Sequence, residues 1–214
     1  MRKLVALSVL IITFIAAGLG GLNYINSFQK VKVELSDGVA VKIYKAATDS
    51  ADGSSYDAKQ EPAASLSESK TIKLKKGVYV VVPSAKNNDY ILTNLQLGVS
   101  DSPAAISVDP EYSSTKLASL LTDSSSMINK VLSDRYPERP NIYNIGSQKM
   151  YKKGDWVGVR LNPINAGQLD TRYIILHKSM NSWQVYTKEP EIIVSAAVYP
   201  DIPKDVLVDV NNSL

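Results

Sequence analysis

Nineteen consecutive residues without a charge, 4–22 (LVALSVLIITFIAAGLGGL), follow directly on Arg2 and Lys3. As a helix this run would span about 28 Å, against a hydrocarbon core of roughly 30 Å. It therefore predicts an N-terminal transmembrane helix. A secretory signal peptide shares the basic start and the apolar middle, but its apolar core is usually about 7 to 15 residues and ends in a small-residue site. This run is longer and meets polar sequence without an A-x-A ending. A retained anchor is the expectation, and cleavage after Ala17 or Gly18 is the alternative. Arg2 and Lys3 abut one end while 23–29 are uncharged, which places the amino terminus in the cytoplasm and the rest outside it. The expected location is the cell membrane, single-pass, with extracytoplasmic domains. The chain has no cysteine, so disulfides, a thiolate metal site and a lipidated cysteine are all excluded.

About 190 residues remain, enough for one larger domain or two small ones. Setting Arg2 and Lys3 aside leaves 22 basic residues against 21 acidic ones, so the exported part is close to neutral. A nucleic-acid partner requires a basic footprint, and none is expected.

Residues 30–44 (KVKVELSDGVAVKIY) alternate: Val31, Val33 and Leu35 share one face and Lys30, Lys32 and Glu34 the other. Asp37-Gly38 marks a turn, after which Val39, Val41 and Ile43 resume the pattern. Residues 46–70 are poor in apolar side chains and read as a flexible insertion. Strand pattern returns at 71–74, at 78–82 up to Pro83, at 90–97 and at 106–108, which suggests a small antiparallel β-sandwich. The succession V-x-V-x-L-x-D-G-V-A-V-K-I-Y, then L-K-K-G-V-Y-V-V-V, then N-D-Y resembles the PEGA-type β-sandwich modules of bacterial surface proteins. Leu74, Gly77 and Tyr79 fit the family's L-x-x-G-x-Y element, and Asp37-Gly38 sits where its turn belongs. Ser36 stands near the family's proline and Val39 replaces its alanine. The likeness implies a structural or adhesive module without catalytic residues.

From Pro110 onward the pattern changes. Leu117, Leu120, Leu121, Ile128, Val131 and Leu132 recur at helical spacing, with Ser113 or Ser114 as N-cap and Tyr136-Pro137 as the stop. The polar stretch 123–126 leaves one long helix and two short ones equally open. Strands are expected at 142–145, 156–161, 171–178, 183–187 and 191–195, with a hairpin at Met180-Asn181-Ser182 and a terminal helix over 203–211. The phrases KGDWVGV, RYIIL and SWQV, with Trp156, Tyr173 and Trp183, resemble the sheet half of NTF2-like or cystatin-like domains. That likeness implies an architecture rather than an activity.

The expected fold class is thus α+β: an N-terminal transmembrane helix, a small antiparallel β-sandwich, then a helix-plus-curved-antiparallel-sheet domain. The expected boundaries are 1–29 for anchor and juxtamembrane linker, 30–109 for the PEGA-like sandwich with its insertion at 46–70, and 110–214 for the NTF2-like/cystatin-like domain.

Candidate chemistry is sparse. S-x-x-K occurs at Ser27/Lys30, Ser67/Lys70 and Ser113/Lys116, where a helical lysine can deprotonate a serine. With 25 serines and 19 lysines in 214 residues, about two such spacings arise by chance, and the S-D-N and K-T-G companions are missing. His177 is the only histidine and reads as a partly covered sheet residue. Asp49, Asp52 and Gly53 lack the closing glutamate of a calcium loop. Asp155, Asp170, Glu189 and Glu191 are candidate paired carboxylates of undefined separation. Two basic clusters, Lys73, Lys75 and Lys76, then Lys149, Lys152 and Lys153, are candidate contacts for a partner or an anionic wall polymer. Lysines also guard strand edges without any partner. The aromatics Tyr151, Trp156, Tyr173, Trp183 and Tyr186 read as core.

The expected function is a non-enzymatic, membrane-anchored envelope protein without cofactor or metal. It would be held in the membrane by 4–22 and bind an envelope protein or wall polymer. The alternatives are a VirB8-like subunit of a secretion or pilus machine and, more distantly, a Ser-Lys hydrolase acting through Ser113.

Overall fold

The computed structural model describes residues 28–47, 55–165, 167, 169–180 and 182–214. They form two units, one of the described residues through Asn87 with Leu92–Pro110, the other of Asn88–Ile91 with Glu111–Leu214.

The first unit holds seven strands: β1 (Phe28–Leu35), β2 (Val39–Lys45), β3 (Ala64–Leu66), β4 (Lys70–Lys75), β5 (Gly77–Ala85), β6 (Leu95–Val99) and β7 (Ala104–Val108). They make a three-stranded sheet, β4-β1-β7, and a four-stranded sheet, β3-β2-β5-β6. The alternating valines act as the pattern requires, since Val31, Val33, Val39, Val41 and Ile43 are all buried. Each contributes roughly 1.5–3 kcal/mol relative to exposure. The turns do something the alternation does not reveal. At Asp37-Gly38 and at Lys76-Gly77 the chain leaves one sheet and enters the other, so β1 and β2 do not pair, nor do β4 and β5. Gly38 (φ 76°) and Gly77 (φ 149°) supply the positive φ at both crossings.

Several expectations are corrected here. The structure is mixed α/β, mostly sheet, with three α-helices among the described residues. No described helix is long and apolar enough to cross a membrane. The run 4–22, on which a transmembrane helix was read, lies outside the described residues. The first unit is not antiparallel throughout, because β7 pairs with β1 in parallel, Val33 beside Ile106. A parallel neighbour has to come from far along the chain, which local alternation does not encode. The strand read over 90–97 starts only at Leu95, and Asn88–Ile91 belongs to the second unit, where Tyr90 bridges Tyr112. Pro83 does not end β5. It sits opposite Val41, beyond the last β6 pairing at Val81, where a proline on one open side is tolerated. Within 46–70, β3 pairs with β2, and Tyr56 stacks at 4.7 Å on Tyr44, which is buried on the outward face of β2.

The second unit contains α1 (Ser114–Arg135), the short α2 (Arg139–Ile142), β8 (Tyr143–Tyr151), β9 (Trp156–Pro163), β10 (Arg172–Ser179), β11 (Ser182–Val185) and α3 (Lys204–Ser213). The strands form an antiparallel meander, β11-β10-β9-β8. The polar stretch 123–126 does not split α1, whose N-cap Ser113 side chain accepts the Lys116 N–H at 3.3 Å. Both faces of this sheet are covered. Ile128 and Leu132 of α1 pack with Val157, Val159, Leu161, Ile174 and Leu176 on one side. Val206, Leu207 and Val210 of α3 pack with Trp156 and Ile175 on the other. Gly158 on β9 lets α3 come close, since a Cβ there would lie 2.6 Å from both Val210 Cγ2 and Leu214 Cδ1. Residues 191–195, expected as a fifth strand, make only an isolated bridge between Tyr173 and Glu191. Ile192 and Ile193 remain exposed.

Candidate functional site

The two lysine clusters have different surroundings. Lys73 and Lys75 project from the outward face of β4, and Lys76 is ion-paired with Asp101. The second cluster is engaged with α3: Lys149 Nζ lies 2.6 Å from Asp209 and Lys152 Nζ 2.7 Å from Asp205. The Tyr151 hydroxyl also donates to Asp209 at 2.7 Å. Burial first, then that carboxylate, pushes the Tyr151 pKa far above the ordinary phenol range. The hydrogen bond from Lys152 holds Asp205 below the ordinary carboxylate value. Lys152 and Lys153 take left-handed conformations (φ 48° and 56°) at the turn between β8 and β9. Lys149 and Lys152 therefore tie the terminal helix to the sheet, whatever else they meet.

The other candidates are equally well placed by geometry. Ser113 caps α1, and Lys116 Nζ lies 3.2 Å from Asp89. His177 packs against two aromatic rings that also touch each other, 4.3 Å from Trp156 and 6.1 Å from Tyr186 by ring centroid. Glu191 accepts the Tyr199 hydroxyl at 2.8 Å, and Tyr199 in turn accepts the Lys188 N–H. Among the described residues no cluster of three metal-ligating side chains occurs. Asp49, Asp52 and Gly53 lie outside the described residues.

A concave site lies at the C-terminal end of α1. One hollow of about 550 Å³ is lined by Val131, Asp134 and Arg135 of α1 and by Trp183, Val185 and Lys188 of the β11 segment. A second, of about 310 Å³, is lined by Arg135, Tyr136, Arg139, Tyr143, Leu161 and Pro190. Arg135 borders both. Val131, Asp134 and Arg135 are three and four positions apart, so they share one helix face. Arg135 in the last turn also suits the negative helix end. Its guanidinium lies 5.9 Å from the Tyr136 ring centroid. Tyr199, through Lys188 and Glu191, fixes the segment that forms the far wall. Trp183 is only 4% exposed, so it forms the floor rather than a stacking platform.

Sequence reading missed this site. Its walls come from residues some fifty positions apart, and in the sequence Tyr136-Pro137 marks no more than the helix stop. The available signal was the density of Arg and Tyr over 135–143, residue types enriched where proteins bind one another. No protein-family model, curated protein or solved structure matches the chain.

Proposed function

We propose that this is a non-enzymatic envelope protein, held at the membrane through the uncharged run 4–22, whose second unit captures a protein partner in the concave site at the end of α1. The single observation that carries this is the composition and shape of that site. Its apolar floor of Val131, Val185 and Trp183 is rimmed by charges of both signs, Asp134, Arg135 and Lys188. A buried apolar centre, a polar rim and Arg, Tyr and Trp at close quarters are the anatomy of protein interfaces. A wall polysaccharide is better served by an exposed aromatic ring, whereas Trp183 is buried. The non-enzymatic reading is supported by the commitments of Ser113 to capping, of Lys116 to Asp89 and of His177 to its aromatic neighbours.

The test is isolation of the full-length protein from its own membranes after mild crosslinking, in wild type and Arg135→Glu. A partner recovered with wild type and reduced about tenfold or more by the charge reversal is the expected result. Equal recovery from both refutes this site, and turnover of a peptide, ester or glycan by the purified chain refutes the non-enzymatic reading.

A further inference from the structure

The outward face of the sheet β4-β1-β7 has an unusual charge pattern. Register sets Phe28 opposite Lys75, Lys30 opposite Lys73 and Lys32 opposite Thr71, so these six side chains share one face. The inward residues between them, Val31, Val33 and Leu74, are buried. Lys30 and Lys73 are exposed and directly opposed, a like-charge pairing that destabilises a sheet. Among the described residues neither has an ion-pair partner. Lys32 is paired with Glu34 at 2.6 Å, both more than half exposed. Lys75 Nζ lies 5.6 Å from the Phe28 ring centroid. The remaining outward positions of β7, Ala105 and Ser107, are small and uncharged, so the lysines stand clear on a low surface.

The position of this face along the chain decides what can meet it. Only five residues, 23–27, separate Leu22 from Phe28. Six steps of at most about 3.6 Å reach no further than about 22 Å. If 4–22 is held in a bilayer, as the proposed function has it and as this inference requires, Phe28 and the lysines beside it stay within that distance of the membrane surface. Lysines beside a bilayer also extend their apolar stems so that the charged ends reach the headgroup level.

We infer that the face formed by Lys30, Lys32, Lys73 and Lys75 rests on anionic lipid headgroups. The opposed lysines are then relieved of their mutual repulsion by phosphate, and the sheet is held against the bilayer. Each lysine near an anionic surface strengthens attachment by about fivefold at low salt, and the attraction fades beyond a Debye length.

The experiment uses the full-length protein with vesicles of phosphatidylcholine alone or with 30% phosphatidylglycerol. Lysine acetylation is quantified residue by residue by mass spectrometry, after flotation establishes attachment. The expected result is flotation with both vesicle types, but protection of Lys30, Lys32, Lys73 and Lys75 only with phosphatidylglycerol and only at low salt. Lys59 and Lys86 should label equally throughout. Lys30→Gln/Lys73→Gln should lower the salt-sensitive protection of Lys75 by roughly 25-fold. Flotation with both vesicles and no protection overturns the inference and leaves the membrane reading standing. Salt-sensitive flotation with phosphatidylglycerol alone overturns attachment through 4–22 and, with it, the premise that holds this face near the bilayer. Protection by free poly(glycerol phosphate) and not by phosphatidylglycerol overturns the inference in favour of a wall polymer.

Discussion

Gly158→Ala should destabilise the second unit. The added methyl would sit 2.6 Å from Val210 Cγ2 and from Leu214 Cδ1, where carbon atoms rest at about 3.5–4.0 Å. Val210 is fully buried, so α3 must retreat or two side chains must leave their rotamers. Overpacking of this kind costs about 1–3 kcal/mol. Alanine is otherwise better than glycine in a strand by about 0.5–1 kcal/mol, so a net loss centred on about 1 kcal/mol, and at most about 2.5 kcal/mol, is expected. The chain's two tryptophans, Trp156 and Trp183, both belong to this unit. Tryptophan fluorescence during urea unfolding therefore reports it selectively. The midpoint should fall with an unchanged slope. The cause is tested by Gly158→Ala/Val210→Ala, which removes one of the two contacts at 2.6 Å and leaves that with Leu214. The double variant should be more stable than the sum of the two single effects by about 1 kcal/mol. A Gly158→Ala midpoint at or above wild type, or strict additivity, would refute the close approach of α3 to β9.

The anchorage of α3 yields two further expectations. Asp209→Ala removes the acceptor for both Tyr151 and Lys149 and should cost about 1–2 kcal/mol, while Lys149→Ala, which removes one half-exposed partner, should cost about 0.5 kcal/mol or less by the same unfolding assay. Acid and alkali should both weaken the unit. The Asp205 carboxyl is depressed below its ordinary 3.8, so its contribution is present above that value and lost as the pH falls through the lower folded one. Lys152 is raised above 10.5, so its contribution is lost as the pH rises past its folded value. Tyr151 resists ionisation when folded, so stability falls once the pH exceeds about 10, and Tyr151→Phe should flatten that alkaline slope in urea titrations. Met180 holds φ 55° at the β10-β11 hairpin and is 97% exposed. Met180→Asn should therefore stabilise by about 0.5–1 kcal/mol, read as a higher melting temperature.

Local patterns were legible because local physics sets them. Val31/Val33 and Val39/Val41/Ile43 alternate because one sheet face is buried, and Ser113 caps α1 because a helix start leaves donors unmet. The run 123–126 proved compatible with one helix, with Ser125 bonding back to the Thr122 carbonyl and Thr122 to that of Ala118. What sequence could not supply was pairing at a distance. Nothing near Gly38 says that β2 joins a different sheet from β1, and nothing near Val33 points to Ile106 as a parallel neighbour. Residues 191–195 carry strand-like apolar content, but no strand edge accepts them beyond the Tyr173 bridge. Lys149 and Lys152 looked like a free basic patch because Asp205 and Asp209 stand more than fifty residues later. The hollow beside Arg135 was invisible for the same reason, being made by two segments that meet only once the sheet is folded.

The most direct test of partner capture is site-specific photocrosslinking in cells from the full-length protein, with the photoreactive residue at Gln184, on the wall of the larger hollow. The same residue at Lys59, in the other unit, serves as the reference. One or a few envelope proteins crosslinked from Gln184 and not from Lys59 is the expected result. Capture from both positions alike, or wall material in place of protein at Gln184, would contradict it.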